Sequence, residues 1–219
     1  MSDLEDYKIS LPPLKVAIIC FINDPFDQPG GRRIGGGHLV LDELGQHLVA
    51  RGDDVTYITR LNSEQKEEFS QLGPRCRIYR LSVGPAKELP PSEVGAMLDK
   101  LEEETHIIFE NSCSDLNVIH SQYWIAGEVS RRINKRLGLK HIHYMLSFGR
   151  QKAARGEERG ISDSLRDQSE IKVFNEVDCL IAQCPSEAND LLSFYPELNH
   201  NRIKIIPHGV DPYDFSPRI

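Results

Sequence analysis

The 219-residue sequence carries 26 Lys and Arg against 33 Asp and Glu, a net charge of −7, with 39% hydrophobic and 27% charged residues. This profile excludes a disordered chain, which has too little apolar content to bury a core, and argues against a general nucleic-acid or anionic-membrane surface. No stretch nears the roughly 20 apolar residues that cross a bilayer, and the opening residues, with Asp3, Glu5 and Asp6, do not resemble a signal peptide. Cys20, Cys76, Cys113, Cys179 and Cys184 are odd in number and lack metal-site spacing, so free thiols in a reducing, cytoplasmic setting are expected, with peripheral membrane contact left open.

In chain order, residues 14–22 form a nearly continuous apolar run, as expected of a strand covered on both faces. A Gly/Pro-rich loop (23–35) leads to a helical pattern over 36–51, with Leu39, Val40, Leu44, Leu48 and Val49 near helical spacing and Gly52 as its stop. Strand patterns follow at 54–59 and 76–82. Pro91 and Ser92 open one helix whose stripe is Val94, Met97, Leu98, Leu101, Ile108 and Phe109. Next come a strand at 116–120, a helix at 125–137 ended by Gly138, a strand at 140–146 and a helix at 161–177. A strand at 178–183, a helix from Pro185 to about Tyr195 and a strand at 202–206 complete the series.

Strands alternating with helices in this way predict an α/β fold. The expected form is a single Rossmann-like, doubly wound parallel sheet of about seven strands with helices on both faces and right-handed crossovers. Residues 1–13 read as a tail, 14–207 as one domain, and the aperiodic stretch 208–219 as the start of a linker toward a second domain.

Ligands of such sheets bind outside the carboxyl ends of the strands, which selects the loops at 23–37, 121–124, 147–160 and 183–187. Gly30, Gly31, Gly35, Gly36 and Gly37 lie between the first strand and first helix, where bare backbone and a helix N-terminus suit an anion, and Arg32 and Arg33 add positive charge. The same glycines can simply turn the chain, with the arginines in water. A dinucleotide fingerprint fails on spacing, because thirteen residues separate Ile22 from Gly36 and the second strand ends in Thr59 and Arg60 rather than an acid. Tyr123 and Trp124 have faces that stack on a sugar, though aromatics at a strand-to-helix junction also serve as core. His141 and His143 share a strand face without a third ligand nearby, so packing is expected and no metal is assigned.

Four ordered segments resemble the group 1 glycosyltransferases, the retaining family 4 enzymes of GT-B fold, of the sucrose-phosphate synthase and glycosyl-inositol-phosphate synthase type. They are the glycine-loop helix and second strand (35–60), NVIHSQYWIAG (117–127), SFGRQK (147–152), and the last strand, helix and crossover from 177 onward. The resemblance implies one half of a GT-B fold, with the nucleotide held mostly by an absent C-terminal Rossmann-like domain. It implies sugar transfer with retention from a nucleoside-diphosphate sugar to a hydroxyl-bearing acceptor, plain or phosphorylated, without a metal or other cofactor. By the resemblance, Gly35, Gly36 and Gly37 lie near the donor phosphates or the acceptor, and His120, Gln122 and Glu187 carry catalysis. Arg32, Arg33, Tyr123, Trp124, Ser147, Gly149, Arg150 and Lys152 face the substrates. Three positions depart from the family pattern: Gln122 and Leu146 stand where the family has histidine, and Cys184 replaces the Thr of a Thr-x-x-Glu segment. Alone, the chain is expected not to turn over, since charge stabilisation of the leaving group would come from the second half. The alternative is a non-catalytic sugar- or phosphate-binding module, or half of a split enzyme.

Overall fold

The computed structural model describes residues 12–27, 36–156 and 163–209. Five parallel strands form the body of the sheet's middle: β1 (Lys15–Ile19), β2 (Asp54–Arg60), β5 (Val118–Gln122), β6 (Lys140–Tyr144) and β7 (Cys179–Ala182). With β3 (Phe69–Gly73), β4 (Cys76–Leu81) and β8 (Ile203–Ile205) the order is β3-β4-β2-β1-β5-β6-β7-β8. All neighbours pair in parallel except β3 and β4. The expected doubly wound α/β sheet is therefore observed, with eight strands among the described residues where about seven were expected.

The additional strand, β3, folds back on β4 as an antiparallel edge, with Phe69 and Leu72 exposed. Its sequence, FSQLG, buries no face and so carries no alternation for sequence reading to detect. The single helix expected over 91–109 is also corrected. It is two helices, α2 (Pro91–Gly95) and α3 (Leu98–Ser112), and the break follows Gly95, where a Cβ would meet the Trp124 ring at 2.5 Å. The other helices are α1 (Gly36–Arg51), α4 (Tyr123–Leu137), α5 (Gly149–Ala154), α6 (Asp163–Glu176) and α7 (Pro185–Phe194). Gly138 ends α4 in the left-handed conformation, φ 65°, its N–H returning to the Asn134 carbonyl as a C-cap.

Successive residues of a strand face opposite ways, and β1 shows both faces buried. Val16 and Ile18 pack with Val55, Tyr57, Ile78 and Leu41 under α1. Ala17 and Ile19 pack with Ile58, Ile119, Leu101, Ile125 and Val129 under α3 and α4. On that second face a further cluster joins Val173 and Phe174 of α6 to Leu180, Ala182, Leu191 and Tyr195. Each Val, Ile, Leu or Phe among them contributes about 1.5–3 kcal/mol on burial. The cysteines are all free, and among the described residues no helix is long and apolar enough to cross a membrane.

Candidate functional site

From the adjacent central pair β1 and β5 the chain winds outward in opposite directions, to β2 and β4 on one side and to β6, β7 and β8 on the other. Loops leaving the carboxyl ends of such a pair diverge and open a crevice. Gly37, in the first turn of α1, stands at that edge of the sheet. Its carbonyl accepts a hydrogen bond from Gln122 Nε2 at 2.8 Å, and a Cβ on it would lie 3.1 Å from both δ-carbons of Leu146. The two residues that stand in place of family histidines thus meet on one residue of α1. Gly36 is exposed with no atom within 4 Å of the place a Cβ would take, while Arg32, Arg33 and Gly35 lie outside the described residues.

Two residues at this edge hold left-handed backbone, Tyr123 (φ 71°) and Leu146 (φ 58°). Side-chain-bearing residues adopt this region at a cost of order 1–3 kcal/mol, which the surroundings must overcome. For Tyr123 the surroundings are visible. Arg166 of α6 donates to the Tyr123 hydroxyl at 3.2 Å, with its guanidinium carbon 5.1 Å from the ring centroid. The same guanidinium donates to the Ser147 carbonyl (2.8 Å) and hydroxyl (3.3 Å) and, through Nε, to Glu170 at 2.6 Å. The second oxygen of Glu170 accepts from the Gly149 amide (2.8 Å) and the Tyr195 hydroxyl (2.5 Å). A Cβ on Gly149 would sit 3.2 Å from that oxygen and 3.3 Å from Arg166 Nε. Burial pushes the Glu170 carboxyl up, and the adjacent Arg166 charge and donated hydrogen bonds oppose that push. One buried ion pair therefore fixes the turn after β5, the turn after β6 and the end of α7.

Arg166 and Glu170 were not among the residues singled out in the sequence. Their signal was present: they sit at i and i+4 on the same stripe as Val173, Phe174 and Val177, a charged pair on the apolar face of a helix.

His120 lies two residues before Gln122 on the same face of β5 and is 8% exposed; burial lowers its pKa to about 4, leaving it neutral near pH 7. It can exchange hydrogen bonds there without carrying charge. On the opposite face, the Ser121 hydroxyl bonds His141 Nε2 at 2.7 Å and His143 Nδ1 at 2.8 Å, all inside the core. Burial pulls His141 down to about 3 and His143 well below its ordinary value, and His143 Nε2 has no partner. Among the described residues no group of three or more His, Cys, Asp or Glu is placed to hold a metal ion.

Trp124, Arg150 and Glu187 are each engaged by neighbouring groups of the fold. Trp124 is 2% exposed and belongs to the core with Val94, Leu98 and Ile125, because the tight turn at Tyr123 sends the next side chain inward. Arg150 stacks on Tyr195 at 4.4 Å and donates to Asp167, the Phe194 carbonyl and Glu197, so its guanidinium joins α5 to α6 and α7. Glu187 accepts from the Gln183 amide at 2.6 Å and satisfies a backbone donor at the start of α7. Ser147 and Gly149 lie in the turn after β6, bonded to Arg166 and Glu170, and Lys152 is half-buried one turn into α5. A separate cleft of about 420 Å³ opens at the amino ends of β1, β2 and β4, the opposite edge, where Lys15 pairs with Asp115 and Arg75 with Asp54.

The sequence pattern described as Glycosyltransferase Family 4 matches residues 34–213. The chain is 28% identical over 207 residues to the D-inositol 3-phosphate glycosyltransferase of Pseudarthrobacter chlorophenolicus, covering 93% of this chain and 49% of that one. It superposes on sucrose-phosphate synthase from Thermosynechococcus elongatus with a TM-score of 0.82 at 24% identity, over 94% of this chain and 50% of that one. Arabidopsis thaliana UGT89C1 complexed with UDP-L-rhamnose matches with a TM-score of 0.59 at 16% identity, over 90% and 49%. This chain spans about half the length of the curated relatives it matches, and its fold is one half of a GT-B fold. The chain belongs to glycosyltransferase family 4.

Proposed function

We propose that this chain is the acceptor-side half of an enzyme that transfers a sugar, with retention, from a nucleoside-diphosphate sugar to a hydroxyl of an acceptor bearing phosphate. The observation that carries the reading is the meeting of Gly37, Gln122, Tyr123, Ser147 and Gly149, from three separate sequence segments, at the carboxyl edge of the central strands. The named substrate of a relative, an inositol 3-phosphate, and the UDP-sugar in a structure of the same fold support it.

In this reading Gly35, Gly36 and Gly37 approach the donor phosphates, and neutral His120 with Gln122 lines the sugar. Glu187 shapes the turn beside them. Arg32, Arg33 and Lys152 supply positive charge toward the acceptor phosphate, and Tyr123 and Ser147, aligned by Arg166, hydrogen-bond the acceptor. Trp124 and Arg150 act from behind by holding these turns. Stabilisation of the departing diphosphate belongs to a second domain, so the chain alone binds without turning over, and no metal enters the scheme. The free cysteines fit a cytoplasmic setting. Gln122, whose amide is engaged by Gly37, and apolar Leu146 favour a second reading, a binding module without catalysis.

A thermal-shift screen against nucleoside diphosphates, nucleotide sugars, and sugar or inositol phosphates tests the proposal. Stabilisation by phosphorylated acceptors is expected. Stabilisation by NAD or FMN instead would sink it. Sugar transfer by the chain joined to a donor-binding domain separates the enzyme from the binding module.

A further inference from the structure

Arg60 ends β2 and is 1% exposed. Its guanidinium meets no carboxylate among the described residues. Nη1 donates to the carbonyls of Leu61 (2.9 Å) and Pro85 (2.8 Å), Nη2 donates to that of Lys87, and Nε donates to nothing. Burial lowers its pKa from the ordinary arginine value. A buried cation compensated only by neutral dipoles is unfavourable compared with an apolar residue of the same size. Such a residue persists when it does something that an apolar one cannot.

Pro85 and Lys87 lie in the loop leaving the carboxyl end of β4, on the crevice side of the sheet. The loop is anchored at Val83 and Leu89, both buried, and turns at Gly84 (φ 72°), where a Cβ would strike the Met97 sulfur at 2.6 Å. Leu89 shares a cluster with Val94 and Trp124, and Trp124 directly follows the strained Tyr123. The Pro85 carbonyl also accepts from the Lys87 amide at 2.8 Å inside the loop, and Arg60 adds a second donor to it and one to the Lys87 carbonyl. A planar fork with several N–H groups in fixed directions satisfies three carbonyls at once, which a single ammonium on a flexible stem does not.

We propose that Arg60 is a positioning residue that clamps the 83–89 loop as a fixed wall of the acceptor crevice. The clamp is independent of the enzymatic reading; its service to an acceptor rests on that reading. Hydrogen exchange of the whole chain, wild type against Arg60→Lys and Arg60→Met, tests the clamp directly. At least tenfold faster exchange at Val83 and Lys87 is expected in both variants, with β5 amides unchanged. Arg60→Lys keeps the charge and guards against an Arg60→Met variant that fails to fold. Wild-type exchange over 83–89 in Arg60→Lys, or acceleration spread evenly over the chain, would overturn the proposal. Titration with myo-inositol 3-phosphate completes the test, with at least tenfold weaker binding expected in Arg60→Lys and rescue absent. Faster loop exchange with unchanged inositol phosphate binding would overturn the service to an acceptor, and a wild type that does not bind inositol phosphate would sink the acceptor reading while leaving the clamp standing.

Discussion

Arg60 and Arg166 are buried guanidiniums on the two halves of the sheet's carboxyl edge, 1% and 7% exposed. Arg60 donates through its outer nitrogens to backbone carbonyls of its own strand end and the neighbouring loop. Arg166 is neutralised by Glu170 one turn along α6, which leaves its outer nitrogens free to reach Tyr123 and Ser147. The difference is one of reach. A local counter-charge lets a buried arginine organise groups from several elements, whereas an uncompensated one is confined to dipoles that close around it. Loss of either partner should accordingly have unequal effects.

The largest effect is expected at Glu170. Glu170→Ala leaves a buried Arg166 charge and orphans the Gly149 amide and Tyr195 hydroxyl, and should cost about 3–5 kcal/mol in urea denaturation. The double change Arg166→Leu with Glu170→Leu should recover much of that stability but not ligand binding, since Tyr123 and Ser147 lose their alignment. A Glu170→Ala protein within about 1 kcal/mol of wild type would erase the contrast between the two arginines.

Acid should weaken the same half next. His120 and His141 titrate near 4 and 3 in the fold against about 6.5 unfolded, so the unfolded chain takes up protons first. Their contribution is intact above pH 6.5 and is lost as pH falls toward the folded values, at about 1.4 kcal/mol per pH unit for each fully buried group. Denaturation midpoints measured from pH 7 to 5 should fall steadily, and a flat profile would show that these histidines are hydrated in solution. Gly149→Ala, which crowds the ion pair, should cost about 1–3 kcal/mol. Gln122→Ala removes one hydrogen bond to Gly37 and should cost about 1 kcal/mol, with a larger change in ligand affinity than in melting temperature.

How far the sequence carried is clearest at particular residues. The apolar run 14–22 and the helix stop at Gly138 express local physics, continuous burial and left-handed backbone, and both are where they were expected. The loops at the carboxyl ends followed from topology alone. What escaped was nonlocal or patternless. The strand β3 buries no face, the α2–α3 break depends on an aromatic ring 29 residues away in sequence, and Arg60 gives no periodic sign of the carbonyls it gathers. The Arg166–Glu170 spacing was legible, but its meaning required the turns it supports.

The most direct test of the central claim, that the ligand lies along the Gly37–Tyr123–Ser147 crevice, is chemical-shift mapping of the ¹⁵N-labelled chain titrated with myo-inositol 3-phosphate. Perturbations should concentrate at the amides of Gly37, Gln122, Tyr123, Ser147 and Gly149. Perturbations confined instead to the Lys15, Asp54 and Arg77 cleft at the opposite edge would contradict it.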